Sequence, residues 1–483
     1  MFAQLAQQGA AIERLTSDSR RAAPGCAFFA WPGESGDGRR HIPDALARRC
    51  AAVLWEREGF SWSDAWRVPN AGVSGLRAQA GFLAHEFHRR PSEHLWVCGV
   101  TGTNGKTTCS QWLAALLASA GARAAVLGTL GGGFPGALEP VENTTPDALE
   151  VHRLLARFRS AGARAVAMEV SSHGLAQGRV NGVAFACALF TNLTHDHLDY
   201  HGSMRAYGEA KARLFETPGL GAAVLNLDDP FGAELAGRAA ERGARVLGFG
   251  FAARGGSDEF LLGTELGGGA LRIAFGGAEA TVTIPHPGRH SASNALGVLG
   301  CLLAHGVPFG EGVRLLEALP PVPGRLQRLG GEGVPLVVVD YAHTPDALEQ
   351  VLRALRPLAT ARGGRLVVVF GAGGGRDSAK RPRMGAVAAR LADRVLLTSD
   401  NPRGEDPAAI IEQIRAGAGA ACAVEPDRAA AIAAAIADAD TADVVLLAGK
   451  GHETYQEIAG RRLAFSDATA AAEALARRRG SGA

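Results

Sequence analysis

Short apolar runs, each closed at once by a polar motif and separated from the next by a helical stretch, recur through most of this chain. The pattern is plainest after residue 325. There the runs 336–339, 366–370, 395–397 and 444–447 are followed by Asp340-Tyr341-Ala342-His343, by 371–377, by Asp400-Asn401-Pro402-Arg403 and by Gly449-Lys450-Gly451-His452-Glu453. Continuous apolar runs of this length read as strands buried on both faces, and their alternation with helices calls for a parallel sheet layered between helices. In a doubly wound sheet the C-terminal strand ends share one edge, so the four motifs are expected to converge on a crevice there, where ligands bind.

The same alternation runs backwards to residue 95. A strand at 95–100 leads through Gly102-Thr103-Asn104-Gly105-Lys106-Thr107-Thr108 into a helical pattern at 107–120, and further strand-like runs lie at 165–170, 186–190 and 222–227. Residues 1 to 90 mix apolar runs (27–30, 51–55) with turn clusters such as 32–36, which reads as a small α/β domain ending near Arg89-Arg90-Pro91. At roughly 150 residues per domain, 483 residues fit about three domains. The glycine-rich stretches 131–136 and 263–269 read as loops, and no fixed-period repeat is present.

Fifty Lys and Arg against 48 Asp and Glu leave a formal charge of +2. No global field then draws the chain to nucleic acid or an anionic membrane, and any phosphate binding must be local. The seven cysteines are scattered and never form a CxxC pair, so reduced, structural thiols are expected. The first residues lack the basic start and apolar core of a secretory signal, and no apolar stretch is long enough to span a bilayer. A soluble, cytoplasmic protein without membrane insertion is expected.

The Gly102–Thr108 segment lies between a strand and a helix, where backbone N–H groups and the helix N-terminus cradle phosphates. Lys106 can reach a β- or γ-phosphate and the Thr107 hydroxyl can ligate Mg²⁺. The match to GxxxxGK is imperfect, because Val100 stands where glycine belongs and Gly99 comes one place early. Glu169, at the end of the run 165–170, is placed as a carboxylate ligand for a phosphate-bound Mg²⁺. A third strand end leads into Thr194-His195-Asp196-His197, rich in metal-ligating groups, although such a stretch taken alone is more often a solvated turn than a metal site. The segment 371–376 is no dinucleotide fingerprint, since Arg376 replaces the third glycine. Ser171-Ser172-His173 are neighbours in one loop rather than a triad.

Together these motifs resemble the Mur ligases, the ATP-dependent amide-forming enzymes of bacterial peptidoglycan synthesis. The resemblance runs from Asp18-Ser19-Arg20 and Asp37-Gly38-Arg39-Arg40-His41 to Gly449-Lys450-Gly451-His452-Glu453. Its most specific pieces are Asn143-Thr144-Thr145-Pro146, the segments 169–175 and 197–202, Asp340-Tyr341-Ala342-His343-Thr344-Pro345 and Asp400-Asn401-Pro402-Arg403. The family implies an N-terminal UDP-binding α/β domain (1–91), a central P-loop ATPase domain with a mainly parallel sheet (92–325) and a C-terminal Rossmann-like doubly wound domain for the incoming amino acid (326–483). It implies that Ser19 and the loop 37–41 meet the uridine nucleotide. Asn143, Thr144, Thr145, Ser171, Gln177 and Arg179 would hold the muramoyl dipeptide. ATP would lie on Gly102, Thr103, Asn104, Gly105, Lys106, Thr107 and Thr108, completed by Asn294, Arg325, Asp340 and His343. The amino acid would meet Arg376, Asp400, Asn401, Pro402, Arg403, Gly449 and Glu453. Two departures stand out: 288–294 lacks the usual aromatic-Asn pair before Asn294, and Ser399 stands where an acidic residue is frequent.

Lys211 lies in a stretch that reads as an ordinary amphipathic helix, and by itself it reads as a solvated lysine. The resemblance instead implies a carbamate formed there from CO₂, ligating Mg²⁺ with Thr107, Glu169 and His197. The expected reaction adds meso-2,6-diaminopimelate to the D-glutamate γ-carboxylate of UDP-N-acetylmuramoyl-L-alanyl-D-glutamate through an acyl phosphate, on small-molecule substrates only and as a monomer. A lysine-adding ligase, a folylpolyglutamate synthase and a P-loop switch without ligase activity are the competing readings. The N-terminal extension counts against folylpolyglutamate synthase, and the third domain against the switch.

Overall fold

The computed structural model describes residues 1–34, 36–252, 259–375, 377–419 and 422–480. Three α/β units follow one another along the chain. The first carries a four-stranded parallel sheet built from Arg14–Thr16, Cys26–Ala30, Ala52–Glu56 and Asn70–Val73. Its last helix, Leu76–Phe87, is broken by Arg89 and Arg90, both at positive φ, just before the next strand.

The central unit is organised on an eleven-stranded sheet. Seven strands in its middle run parallel, in the order Phe260–Gly267, Arg245–Gly250, Ala222–Asn226, Cys187–Phe190, Trp96–Thr101, Ala165–Glu169 and Ala124–Gly128. Helices Lys106–Ser119 and Arg289–His305 cover one face, where Leu113, Leu117, Leu296 and Leu299 pack on Val100 and Val224. Ala148–Ser160 and Pro230–Glu241 cover the other, with Leu154, Phe158 and Leu235 on Val97 and Val166. Each fully buried side chain of this kind is worth about 1.5–3 kcal/mol, so the two-faced burial fixes the apolar runs as central strands.

Both edges of this sheet are antiparallel, and both contain a glycine-rich stretch expected to be a loop. Gly131–Phe134 pairs with Ala124–Gly128 and with Ala137–Glu139, while 263–267 belong to the strand Phe260–Gly267 and turn at Gly267 to Gly269 into Ala270–Phe275. Gly131 shows why glycine marks a strand here: it sits at φ +127°, and a Cβ would stand 2.5 Å from the carbonyl oxygen of Glu139.

The third unit has a six-stranded sheet, Gln327–Gly330, Leu336–Asp340, Val444–Ala448, Leu366–Phe370, Arg394–Leu397 and Ala423–Val424, parallel except for its first strand. A hairpin, Tyr455–Ile458 with Arg461–Ala464, stands beyond it and has no counterpart in the sequence reading. All seven cysteines are unpaired and six are buried, as expected of structural thiols. Cys98, Cys187 and Cys301 meet in the central apolar core, sealed by the strands and the helix that carry them. Among the described residues no helix is long and apolar enough to cross a membrane.

Candidate active site

The phosphate-binding turn takes its shape from glycine. Gly102 (φ +143°) presses against Thr191, and at Gly105 (φ +89°) a Cβ would stand 2.6 Å from Asn294 Oδ1. The turn is strapped to the neighbouring strand end: Thr103 N–H donates to Asn192 O (2.8 Å), Asn104 N–H to Asn192 Oδ1 (2.9 Å), and the Thr191 hydroxyl to Asn104 O (2.6 Å). Lys106 opens the helix Lys106–Ser119, and its Nζ donates to Gly102 O and Thr103 O, each at 2.8 Å. Burial lowers its pKa.

Behind the turn, Glu169 ends its strand 1 % exposed. Its carboxylate accepts from the Thr107 hydroxyl (2.9 Å), the Thr129 hydroxyl (3.0 Å) and Thr129 N–H (2.7 Å). A hydroxyl and a carboxylate held together beside a phosphate cradle are the hard oxygen donors that Mg²⁺ takes. Lys211 overturns its bland reading. It is 1 % exposed, its Nζ donates to Gly102 O (2.9 Å) and lies 4.2 Å from the Tyr207 ring centre, and burial together with the nearby Lys106 drives its pKa well below the usual lysine range. His197 adopts φ +54° in the His-rich loop, within 3.3 Å of Asp196 and edge-on to His173. Burial lowers its pKa to about 3, which keeps the imidazole neutral and able to ligate a metal.

These groups line one cleft of ≈ 660 Å³ together with Asn143, Thr144, Thr145, Ser171, Arg179, Asn294, Arg325, Asp340 and His343. The third unit supplies part of its wall. Asn104 Nδ2 donates to Asp346 Oδ2 (3.2 Å), His195 lies 3.9 Å from Asp377, and the Arg325 guanidinium reaches Thr107 Oγ1 (3.2 Å) while stacked 4.4 Å from the Tyr341 ring centre. Phe251, Arg289 and His290, to which the sequence assigned no role, also line it.

Several expected contact residues are instead committed inside the protein. Thr145 is fully buried, its hydroxyl donating to Glu169 O and accepting from Ser171 N–H, both at 3.0 Å. Both Asp340 oxygens accept backbone N–H groups, from Leu326 and Ala342 at 2.8 Å. Gln177 links Arg179 to the first unit: its Oε1 accepts from Arg179 Nε (2.8 Å), and its Nε2 donates to Glu34 Oε2 (2.9 Å).

Ser19 lies elsewhere, in a second cavity of ≈ 860 Å³ lined by 14–21, Gly38, His41 and, from the central unit, Asp147 and Arg153. The loop 37–41 is split. Gly38 and His41 face this cavity, while Arg39 turns inward, bonded to Asp37 and to Glu58 O (2.6 Å).

At the C-terminal edge of the third sheet the four polar motifs do meet. Gly449 N–H donates to Asp340 O (3.1 Å), Gly374 N–H to Asn401 O (2.9 Å), and Asn401 Nδ2 to Glu453 Oε2 (2.8 Å). Arg403 sits at φ +53° with Nη1 donating to Gly374 O (2.6 Å) and Nε 3.7 Å from Glu457. A non-glycine residue held in this region is strained, and such strain gathers at ligand clamps. Arg376 lies outside the described residues. Lys450, between Gly449 and Glu453, was given no role from sequence, yet it is fully buried among them.

Comparison with known proteins agrees with this arrangement. Residues 100–302 match the Mur ligase middle domain and residues 324–451 the Mur ligase glutamate ligase domain. The chain belongs to the Mur ligase family. A Pseudomonas aeruginosa relative named UDP-N-acetylmuramoyl-L-alanyl-D-glutamate–2,6-diaminopimelate ligase is 52% identical over 482 residues, covering 98% of this chain and 96% of its own. One from Chromobacterium violaceum with the same name is 50% identical over 473 residues, again covering 98% and 96%. A solved structure of a ligase so named superposes with a TM-score of 0.67 at 34% identity, over 97% of this Mur ligase and 95% of that chain.

Proposed function

We propose that this Mur ligase joins meso-2,6-diaminopimelate to the D-glutamate γ-carboxylate of UDP-N-acetylmuramoyl-L-alanyl-D-glutamate, consuming ATP and releasing ADP and phosphate, as a step of peptidoglycan synthesis in the cytoplasm. The observation that carries this reading is the bond from Gly449, in the crevice that holds Arg403 and Glu453, to Asp340 on the wall of the phosphate-binding cleft, in a chain about half identical, nearly end to end, to relatives bearing that name. In this reading residues 1–91 bind the UDP moiety, 92–325 ATP, and 326–483 the amino acid. This reading takes a monomer as the working unit.

A free carboxylate resists amines because oxide is its leaving group, so it must first become an acyl phosphate. The turn 102–105 and Lys106 grip the β- and γ-phosphates, Lys106 exchanging its two carbonyl partners for phosphate oxygens. Thr107, Glu169, His197 and a carbamate on Lys211 would hold Mg²⁺, which supplies charge neutralisation at phosphoryl oxygens. The donor set fits: Lys211 has a carbonyl and a ring for partners rather than a carboxylate, and its depressed pKa favours the neutral amine that combines with CO₂. Asn143, Thr144, Ser171, Gln177 and Arg179 orient the dipeptide, with Thr145 bracing that wall from behind, while Asp340 fixes the backbone at Leu326 and Ala342 beside the ATP site. The γ-phosphoryl passes in line to the γ-carboxylate and ADP departs; the neutral amine of the amino acid attacks the acyl carbon and phosphate departs.

Arg403, helped by Arg376, selects the amino acid. Diaminopimelate carries a second carboxylate where lysine has none, and a guanidinium fork holds a carboxylate by two parallel charge-assisted bonds. Glu453 takes an ammonium group. Phosphate release measured with ATP, the UDP-muramoyl dipeptide and a panel of amino acids tests the reading. Turnover with diaminopimelate supports it, whereas preference for L-lysine, or turnover with a folate in place of the dipeptide, refutes it.

A further inference from the structure

Lys450 makes both of its side-chain hydrogen bonds to groups that the proposed function assigns to the amino acid. It follows Gly449, whose φ of +113° brings the backbone so close to Asp400 that a Cβ would stand 2.7 Å from Oδ2, and it precedes Gly451 at φ +54°. This double glycine turn folds the side chain inward, to 0% exposure. Its Nζ donates to Asn401 Oδ1 (3.0 Å) and Glu453 Oε2 (2.9 Å) and lies 3.6 Å from Asp400 Oδ1.

These contacts determine what their partners can do. Asn401 Oδ1 receives Lys450 Nζ on one side and Glu457 N–H (2.9 Å) on the other, so its amide must turn Nδ2 toward Glu453, to which it donates. Glu453 Oε2 is thereby held by two donors. Among the described residues Oε1 has none, and the Glu453 side chain keeps 18% exposure at the crevice. One ammonium against two carboxylates also leaves the trio at a net charge of −1, which suits one incoming ammonium rather than two or none.

We infer that Lys450 is the positioning residue for amino-acid recognition. It aims one oxygen of Glu453 at the substrate's ammonium and fixes the Asp400-Asn401 loop that presents Arg403, touching neither nucleotide nor dipeptide. The inference rests on the proposed reaction and deepens it.

The test compares the parent enzyme with Lys450→Met, which keeps the stem and removes every donor, and Lys450→Gln, which keeps a neutral donor. KM is measured separately for diaminopimelate, ATP and the UDP-muramoyl dipeptide, with a thermal melt of each protein. Both variants are expected to fold, to raise the KM for diaminopimelate at least tenfold, with Gln the milder, and to hold the other two KM values within threefold. An unchanged KM for diaminopimelate, a parallel rise in all three, or failure of both variants to fold overturns the inference, the last two outcomes marking Lys450 as a general structural brace. If the parent itself fails to use diaminopimelate, it is the functional reading that falls, and that arm is read first.

Discussion

Replacing Arg428 by methionine should cost the third unit about 3–5 kcal/mol, the usual penalty for leaving one partner of a buried ion pair unpaired. Arg428 and Asp467 are both 0% exposed and joined by two parallel bonds of 2.7 Å. Burial works against the charged guanidinium, yet Asp467 outweighs it and raises the pKa further. The remaining donors go to Ala448 O (2.9 Å) and Ser399 O (3.3 Å), the residues just before Gly449 and Asp400. One guanidinium therefore ties the helix Asp467–Gly480 to the roots of both amino-acid loops. At 2–4 °C per kcal/mol for a unit of this size, the melting transition should fall by roughly 6–20 °C. Calorimetry measures this, and hydrogen exchange in Asp467–Gly480 locates it. The double variant Arg428→Met with Asp467→Leu, which removes both charges, should recover most of the loss. A cost under about 1 kcal/mol for the single variant, or a double variant no more stable than the single, would refute the argument that an uncompensated carboxylate is the penalty.

Lys211→Met should lower turnover by at least about a hundredfold, near 3 kcal/mol of barrier, with ATP-analogue binding retained. Lys211→Arg should not restore it, since arginine cannot form a carbamate, and native mass spectrometry of the parent should show a labile addition of about 44 Da, one CO₂. Arg403→Ala should raise the KM for diaminopimelate more than tenfold, a charge-assisted pair being worth about 2–5 kcal/mol, and leave the KM for ATP unchanged; steady-state kinetics with each substrate varied decides this. His152 is fully buried with Nε2 2.9 Å from Asn181 O, and burial lowers its pKa to about 4. Because the unfolded histidine takes its proton near 6.5, this group costs nothing above that pH, and as pH falls to about 4 the parent should lose on the order of 3 kcal/mol relative to His152→Gln, read from urea melts at each pH.

The strands were legible because the runs 366–370 and 444–447 are apolar on both faces, a pattern that only a central parallel strand satisfies. The edge hairpins were not. Gly131 serves a close strand approach, and a sequence shows glycine without showing whether a turn or a neighbouring backbone demands it. The cleft was foreseen in outline because its residues sit at strand ends. What escaped was the direction of side chains, set by tertiary contacts: Thr145, Asp340 and Arg39 face inward as braces, and Lys211 is buried on a helix that looks amphipathic. Lys450 was hidden by its company, since a lysine between glycines in a polar motif reads as a solvated loop residue until two carboxylates are found around it. Ser399 bonds Arg428 through its backbone carbonyl, which any side chain provides.

The cleft has walls from two units of the chain, with Asp346 reaching Asn104 of the phosphate turn and Tyr341 stacked against Arg325. A nucleotide seated there lies between groups of both units, and parting the units breaks those bonds. The steps that end a catalytic cycle are thus tied to the relative motion of whole units rather than to the breaking of phosphate contacts alone. Solvent viscosity, which slows large bodies and leaves bond chemistry untouched, becomes a lever on turnover in an enzyme built this way.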